Sequence, residues 1–315
     1  DLIHAETELQ REQAANLVQG HASKYYENLR EKLVKSLSYI EAKIDFAEDD
    51  LPGSVLKEVQ KSIKQVHTDI KQILEDQKVG EKIRDGFRIS IIGDVNAGKS
   101  SLLNLLAKRD AAIVSEEEGT TRDVVETYLN IDGYPVILAD TAGIRKAKNK
   151  VEKEGIKRAI KKAKEADLTL VIIDVSKKTI NKDVKKLINK DCILVFNKSD
   201  LSKKTPKNEF KKNDQILISV KNSKNIDRLI KTIKEKLSKK FMKANNILVT
   251  RERHRAKLNA ALKEIEKFLK KDQKKEIETA AEDLRLATRH LGSIVGKVDV
   301  EEILGSIFQD FCIGK

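Results

Sequence analysis

Leucine, isoleucine and valine recur at three- and four-residue steps through the opening stretch of the chain. Leu29, Leu33, Leu37, Ile40 and Ile44 mark one apolar stripe, and Leu56, Val59, Ile63, Val66, Ile70 and Ile73 mark a second. That period puts each set on one face of an α-helix, and Asp49-Asp50-Leu51-Pro52-Gly53 breaks the pattern between them. From Phe87 the texture changes. Short apolar runs (Phe87 to Ile92, Val136 to Ala139, Leu168 to Asp174, Ile193 to Phe196 and Ile216 to Ser219) alternate with amphipathic stretches. This is the pattern of a mostly parallel sheet with helices on both faces. Strand signals stop near Ala244, and residues 251 to 308 are helical again. The predicted architecture is an α/β domain over 86–243, inserted into an all-α helical domain formed by both chain ends, 1–85 and 244–315. No internal repeat or low-complexity linker interrupts it.

Composition agrees with a helix-rich fold. Charged residues make up 36% of the 315, against 14 Gly, 3 Pro and no Trp, a balance that disfavours sandwiches and barrels. An apolar fraction of 39% supplies material for about two domain cores. The net charge of +13 suits a polyanionic partner bound through counterion release. Lysine-rich runs such as Lys146 to Lys164 and Lys203 to Lys212 suit solvated helix faces equally well, and charge alone leaves both readings open. Cys192 and Cys312 have neither close spacing nor histidines at zinc-ligand intervals; a reducing compartment is expected, without a disulfide framework or structural zinc. Apolar runs such as Leu168 to Ile173 are too short to cross a bilayer, and no signal-peptide pattern is present.

The chemistry lies in the α/β stretch. Gly93-Asp94-Val95-Asn96-Ala97-Gly98-Lys99-Ser100 has the spacing of a phosphate-binding loop and stands between a predicted strand and a predicted helix. There the glycines let backbone N–H groups curl around phosphates, Lys99 reaches the β- and γ-phosphates, and Ser100 holds Mg²⁺. Asp140-Thr141-Ala142-Gly143 closes the strand Val136 to Ala139, where an acidic residue organises the Mg²⁺ shell and a glycine senses the γ-phosphate. Between the two lies Gly119-Thr120-Thr121-Arg122-Asp123, in which Thr121 offers the metal a second hydroxyl. Asn197-Lys198-Ser199-Asp200 selects the base. The Asp200 carboxylate accepts from guanine N1–H and the exocyclic amine, whereas adenine presents an acceptor at N1 and would leave that carboxylate unpaired. Ser219-Val220-Lys221 is placed to offer a backbone amide to guanine O6. Any one of these motifs can be a solvated turn; four in this order predict a P-loop GTPase domain that turns GTP into GDP.

The hydrolytic residue is not where small Ras-like GTPases keep it. Their water-orienting glutamine follows the Asp-x-x-Gly element, and that place holds Ile144, which has no hydrogen-bonding group. Glu152, in the polar stretch Arg145 to Glu154, is the alternative water-positioning group; it also suits the first turn of a helix from Glu152 to Ala166 on dipole grounds alone. Arg122 and Arg145 are possible sources of positive charge, as is a monovalent cation beside the Asn96 amide oxygen.

With these residues in place, the chain resembles the MnmE (TrmE) family of tRNA modification GTPases. The likeness runs through Asp1-Leu2-Ile3 with Gly20, Ile44-Asp45-Phe46, the run Asn96 to Asn104 including Ser101, the Gly119 to Asp123 loop, Asp140 to Gly143, Val151-Glu152 with Gly155-Ile156, Leu284-Arg285-Leu286-Ala287, and the ending Phe311-Cys312-Ile313-Gly314-Lys315. The last motif is the most specific, because generic GTPases do not share it. The resemblance implies modification of the wobble uridine of certain tRNAs, in the bacterial cytoplasm or an organelle matrix, with an FAD-containing MnmG (GidA)-like subunit. It also implies potassium-stimulated dimerisation of the GTPase domains. By the same likeness Asn96, Ser115, Glu117 (through its carbonyl) and Thr120 hold K⁺, Ser100 and Thr121 hold Mg²⁺, and Glu152 acts in hydrolysis. Cys312 then belongs to the tRNA modification chemistry and Lys315 to a folate site.

Val95 stands where the family's phosphate loop usually has proline, and Val220 replaces an alanine; both affect mainly the backbone. Members of the family carry an N-terminal domain that binds formyl-tetrahydrofolate, and the chain, starting at Asp1, is read as beginning after it. For Cys312 the rivals are a buried structural thiol and a prenylation box, which Gly314 and Lys315 suit poorly. Two other functions are weighed: an Era-like GTP-gated RNA-binding or ribosome-assembly switch, for which no appended RNA-binding element follows Lys243, and a membrane-remodelling scaffold, for which the terminal helices lack an aromatic-rich lipid face.

Overall fold

A run of apolar residues with no polar interruption belongs in the middle of a sheet covered on both faces, and the central strands have that character. The computed structural model describes residues 1–45, 55–76, 78–109, 126–139, 165–177, 179–202, 210, 213–241, 247–272 and 275–297. Its strands are β1 (Phe87–Gly93), β2 (Glu126–Ile131), β3 (Tyr134–Ala139), β4 (Leu168–Asp174), β5 (Cys192–Asn197) and β6 (Asp214–Leu217). They form one sheet in the order β2-β3-β1-β4-β5-β6. β4 and β5 are buried at every position, while β6 lies at the edge and exposes Asp214 and Gln215. All pairings are parallel except β2 with β3.

The β2–β3 hairpin has no counterpart in the apolar-run reading. Ile131 pairs with Tyr134, which leaves a two-residue turn of Asp132 (φ 50°) and Gly133 (φ 92°). Positive φ at both central positions is the turn whose twist matches a hairpin, and Asp-Gly is one of its preferred sequences. Asn130 Oδ1 accepts from Gly133 N at 2.9 Å and braces it. The last strand also differs from its expected Ile216 to Ser219: it ends at Leu217, and Ser219 instead makes an isolated bridge to Lys224. Between these strands lie α5 (Lys99–Arg109) and α6 (Lys182–Leu187); before β1 come α1 (Glu8–Val18), α2 (His21–Asp45), α3 (Val55–Leu74) and α4 (Val79–Asp85), and after β6 come α7 (Ile226–Phe241), α8 (Glu252–Lys270) and α9 (Ile277–Val295).

The chain divides into two compact units, one comprising Asp1–Ala14 with Lys82–Asn245 and the other Ala15–Glu81 with Asn246–Lys315. The second is a four-helix arrangement in which α2 packs on α3, α3 on α8, α8 on α9 and α9 on α2. Both predicted stripes turn inward: Leu29, Leu33, Leu37 and Ile40 meet Val59, Ile63, Val66 and Ile70, together with Leu258, Ile265 and Phe268 of α8 and Leu284, Ala287 and Leu291 of α9. Each such aliphatic side chain stabilises the core by roughly 1.5–3 kcal/mol. Among the buried charges of this unit, Arg255 is held by a set of acceptors. Arg255 donates to Asp76 Oδ1 at 2.7 Å, Glu81 Oε2 at 3.0 Å and Leu74 O at 3.2 Å. Burial works against its charge, but the hydrogen bonds it donates to Glu81 and Asp76 outweigh that and raise its pKa above the ordinary arginine value.

Candidate functional site

Parallel α/β sheets bind ligands outside the carboxyl ends of their strands, and there the motifs gather. β1 ends at Gly93, whose φ of 154° and would-be Cβ, 2.3 Å from Ile172 O, leave no room for a side chain against β4. The loop then climbs through Asp94, exposed Val95 and Asn96, the last at φ 62°. It returns through fully buried Ala97 and Gly98 (φ 101°) to the first turn of α5. Lys99 Nζ donates to Gly93 O at 2.8 Å and Asp94 O at 2.7 Å, so its ammonium is held across the loop mouth by carbonyls that a phosphate oxygen can replace.

Asn197, at the end of β5, is buried and ties this loop to the base side. Its Nδ2 donates to Ala97 O at 2.9 Å, and its Oδ1 accepts from Val220 N at 3.1 Å. Gly98 is required beside it, because a Cβ there would lie 2.2 Å from Asn197 Nδ2. Of the amides in the Ser219-Val220-Lys221 turn expected to serve guanine O6, Val220 N–H is thus taken by Asn197 and Ser219 N–H by Lys224 O. Lys198 adopts φ 68° and sends Nζ to Asp174 Oδ2 at 2.6 Å. Asp174 also accepts from Ser176 N at 2.9 Å and Ser176 Oγ at 2.6 Å. Burial would raise the Asp174 pKa, but the bonds from Lys198 and Ser176 prevail and hold it below the usual aspartate value.

Asp200 is exposed, and Ser219 Oγ donates to its Oδ1 at 2.5 Å. That bond leads the causes that lower its pKa, so at neutral pH a charged carboxylate with one oxygen already fixed faces solvent. Ser219 is itself buried and set by the paired bonds Ser219 N to Lys224 O at 3.2 Å and Lys224 N to Ser219 O at 2.9 Å. Lys221 is next in the same turn.

Asp174, Ser176 and Lys177 were not singled out by the motifs. Lys177 Nζ donates to Val95 O at 3.4 Å and lies 3.8 Å from Asp94 Oδ2, so this cation stands beside the phosphate loop. The available signal was register: Asp174 pairs with Asn197, and an acid at that strand end can restrain the neighbouring lysine.

Ser100 lies in the first turn of α5, and Ser101 next to it is exposed. A hard divalent ion such as Mg²⁺ takes oxygen ligands, and the Ser100 hydroxyl makes no hydrogen bond among the described residues, so its oxygen is available for one. Asn96 is exposed and likewise able to offer its amide oxygen. No group of three or more His, Cys, Asp or Glu side chains able to hold a metal occurs among the described residues. Ser115, Glu117, Gly119, Thr120, Thr121, Arg122, Asp140, Thr141, Ala142, Gly143, Ile144, Arg145, Glu152, Cys312 and Lys315 lie outside the described residues. No helix among the described residues is long and apolar enough to cross a membrane.

The family described as MnmE helical domain matches residues 1–312. The tRNA modification GTPase MnmE of Pelagibacter ubique (strain HTCC1062) is 57% identical over 315 residues, covering 100% of this chain and 71% of the relative. The tRNA modification GTPase MnmE of Rickettsia bellii (strain RML369-C) is 42% identical over 322 residues, with 100% of this chain and 71% of the relative covered. Among solved structures, an Era variant of Aquifex aeolicus bound to GDP.AlF4- is 29% identical over 56% of this chain and 66% of its own, with a TM-score of 0.36.

Proposed function

The chain belongs to the MnmE family, and from that premise we propose that it hydrolyses GTP to GDP and phosphate and couples that turnover to tRNA modification. The observation that carries the nucleotide assignment is the hydrogen-bonded line from Ala97 through Asn197 to Val220, with the charged Asp200 carboxylate fixed by Ser219 beside it. A phosphate cradle and a base-reading carboxylate are thereby set in one frame. Asp200 accepts from the guanine N1–H and exocyclic amine, and ATP is rejected because adenine would leave the carboxylate unpaired.

On this reading Gly98, Lys99 and the backbone of the loop bind the phosphates, with Lys177 adding positive charge at the same mouth. Ser100 and Thr121 would hold Mg²⁺, which would supply positive charge to the phosphates of the nucleotide. Asn96, with Ser115, Glu117 and Thr120, provides oxygens for K⁺ where the GTPase domains of two copies meet. Asp140 to Gly143 respond to the γ-phosphate, and Glu152 positions the attacking water. Cys312 serves the modification of the wobble uridine, Lys315 the folate site, and an FAD-containing MnmG-like subunit is the partner, in the cytoplasm.

The test is GTP and ATP turnover in matched KCl and NaCl buffers containing Mg²⁺, with light scattering in GDP and aluminium fluoride. Turnover of GTP but not ATP, faster in KCl and accompanied by dimers only there, supports the base, K⁺ and dimer assignments. Equal turnover in both salts with a persistent monomer overturns the K⁺ and dimer assignments, and indifference to the base overturns the role of Asp200.

A further inference from the structure

The outward face of α3 is not used by the GTPase site. Its inward positions Val59, Ile63, Val66 and Ile70 are buried, so the residues between them form a solvent stripe. Along it Lys57, Gln60, Lys61, Lys64, Gln65 and Thr68 line a shallow depression of about 390 Å³. All six are exposed.

Two properties of this stripe suit a polyanion. First, the lining holds three cations and three neutral hydrogen-bonding side chains, with no carboxylate among them. Some lysines of the same unit are paired, as Lys78 with Glu252 at 3.1 Å and Lys267 with Glu264 at 2.7 Å. Lys57, Lys61 and Lys64 make no ion pair among the described residues. Of the acidic residues on the stripe's flank, Glu58 lies beside Lys57 in the first turn, and Asp69 is occupied by Gln65 Nε2 at 2.7 Å and Lys32 at 3.7 Å. Second, the spacing is regular. Lys57 to Lys64 covers about 10 Å of helix axis at 1.5 Å per residue, and over that length one strand of a nucleic-acid duplex carries about three phosphates.

We infer that the Lys57–Lys61–Lys64 face of α3 docks the phosphate backbone of RNA. The inference rests on the tRNA reading of the family and adds to it a surface. The three ammonium groups neutralise successive phosphates. Such contacts position an RNA without reading its sequence, so the face supplies affinity and register and leaves base selection to other residues.

The experiment compares the full chain with its Lys57→Gln/Lys61→Gln/Lys64→Gln variant. Binding of unfractionated tRNA is measured by filter retention between 50 and 200 mM KCl, with GTP turnover and thermal melting followed in parallel. The variant is expected to keep turnover and melting and to bind tRNA roughly ten- to fifty-fold more weakly at the lowest salt, its log–log salt slope shallower by about 2 to 3, as loss of three phosphate contacts requires. Unchanged affinity and slope in the variant overturn the inference while leaving the tRNA reading in place. Absence of tRNA binding by the unmodified chain overturns the tRNA reading and the inference with it. Lysines that serve instead to hold an anionic membrane would show as loss of sedimentation with phosphatidylserine vesicles while tRNA affinity stays unchanged, which also overturns it.

Discussion

Replacing Asn197 by alanine tests whether one buried amide holds the nucleotide site together. The side chain is 3% exposed and makes two bonds to backbone groups of different loops, to Ala97 O at 2.9 Å and from Val220 N at 3.1 Å. Truncation leaves a carbonyl and an N–H without their partner and opens space beside Gly98, whose would-be Cβ stands 2.2 Å from Nδ2. Each orphaned buried polar group costs about 1–3 kcal/mol; allowing for water reaching the loop side, the sum is about 2–4 kcal/mol. Part of this appears as lost stability of the free protein and part as weaker binding, because Ala97 and Val220 both lie against the proposed nucleotide position. The assay is urea unfolding with and without GDP, beside titration with a fluorescent GDP analogue. A stability loss near 2 kcal/mol, with GDP affinity falling at least about tenfold, corresponds to about 1.4 kcal/mol for the binding share. Asn197→Asp is the companion variant: it keeps an acceptor for Val220 N–H but sets oxygen against Ala97 O, and it should weaken binding as well. An Asn197→Ala protein with stability within about 0.5 kcal/mol and affinity within about twofold of the parent would falsify the argument, since surface substitutions away from such features have effects of that size.

Four other outcomes follow from the same geometry. Asp200→Asn exchanges an acceptor for a donor on one of its two side-chain positions; GTP affinity should fall by about two orders of magnitude or more and xanthosine triphosphate should become the better ligand in competition binding. Arg255→Met leaves Asp76 and Glu81 buried against each other without their cation, a loss of about 3–5 kcal/mol readable by urea unfolding. Because the Asp174 pKa is lowered in the folded state, its contribution to stability is complete above the unfolded aspartate value of about 3.9 and is lost as pH falls through the lower folded value. Asp174→Asn should therefore flatten that acid limb of the stability curve. Gly133→Ala forces a Cβ into φ 92° and should lower the melting temperature, at a cost of about 1 kcal/mol or more.

The sequence carried what local chemistry dictates. β4 and β5 were legible as unbroken apolar runs because a central parallel strand is buried on both faces, and the helical stripes at Leu29 to Ile40 and Val59 to Ile73 because a bundle buries one side of each helix. The phosphate loop was legible for a different reason: backbone approach needs glycine at Gly93 and Gly98, and both positions have positive φ and no space for a side chain. β2 was missed because Thr127, Tyr128 and Asn130 interrupt its apolar positions, leaving Asp132-Gly133 as the only clear mark of the hairpin. Asp174 was missed because its value comes from lying beside Asn197 across the sheet, 23 residues away in sequence. Asp1–Ala14 groups with the α/β unit through contacts such as Gln10 Nε2 to Arg84 O at 3.0 Å and Leu9 N to Gly133 O at 3.4 Å, which periodicity cannot announce.

The two sequence segments of the helical unit are joined through a long insertion. Arg255 and its partner Glu81 are separated by 174 residues, and closing so long a flexible loop costs about 4–5 kcal/mol in chain entropy beyond the constant term. The α/β unit removes much of that cost by folding on its own terms, since its first strand and last helix meet: the Phe87 and Phe241 rings are 5.2 Å apart, and Lys82 Nζ stands 4.3 Å from the Phe241 ring centre. With its two ends held together, the segments that flank it need to find each other over short distances only. Within the helical unit they do so tightly: a Cβ at Gly80 would fall 1.9 Å from Val249 O, so glycine allows the backbones to touch, and Arg255 then binds both Asp76 and Glu81. The buried arginine is thus best understood as a clamp at the place where the chain leaves the bundle and returns to it, where a lone apolar contact would fix neither distance nor direction.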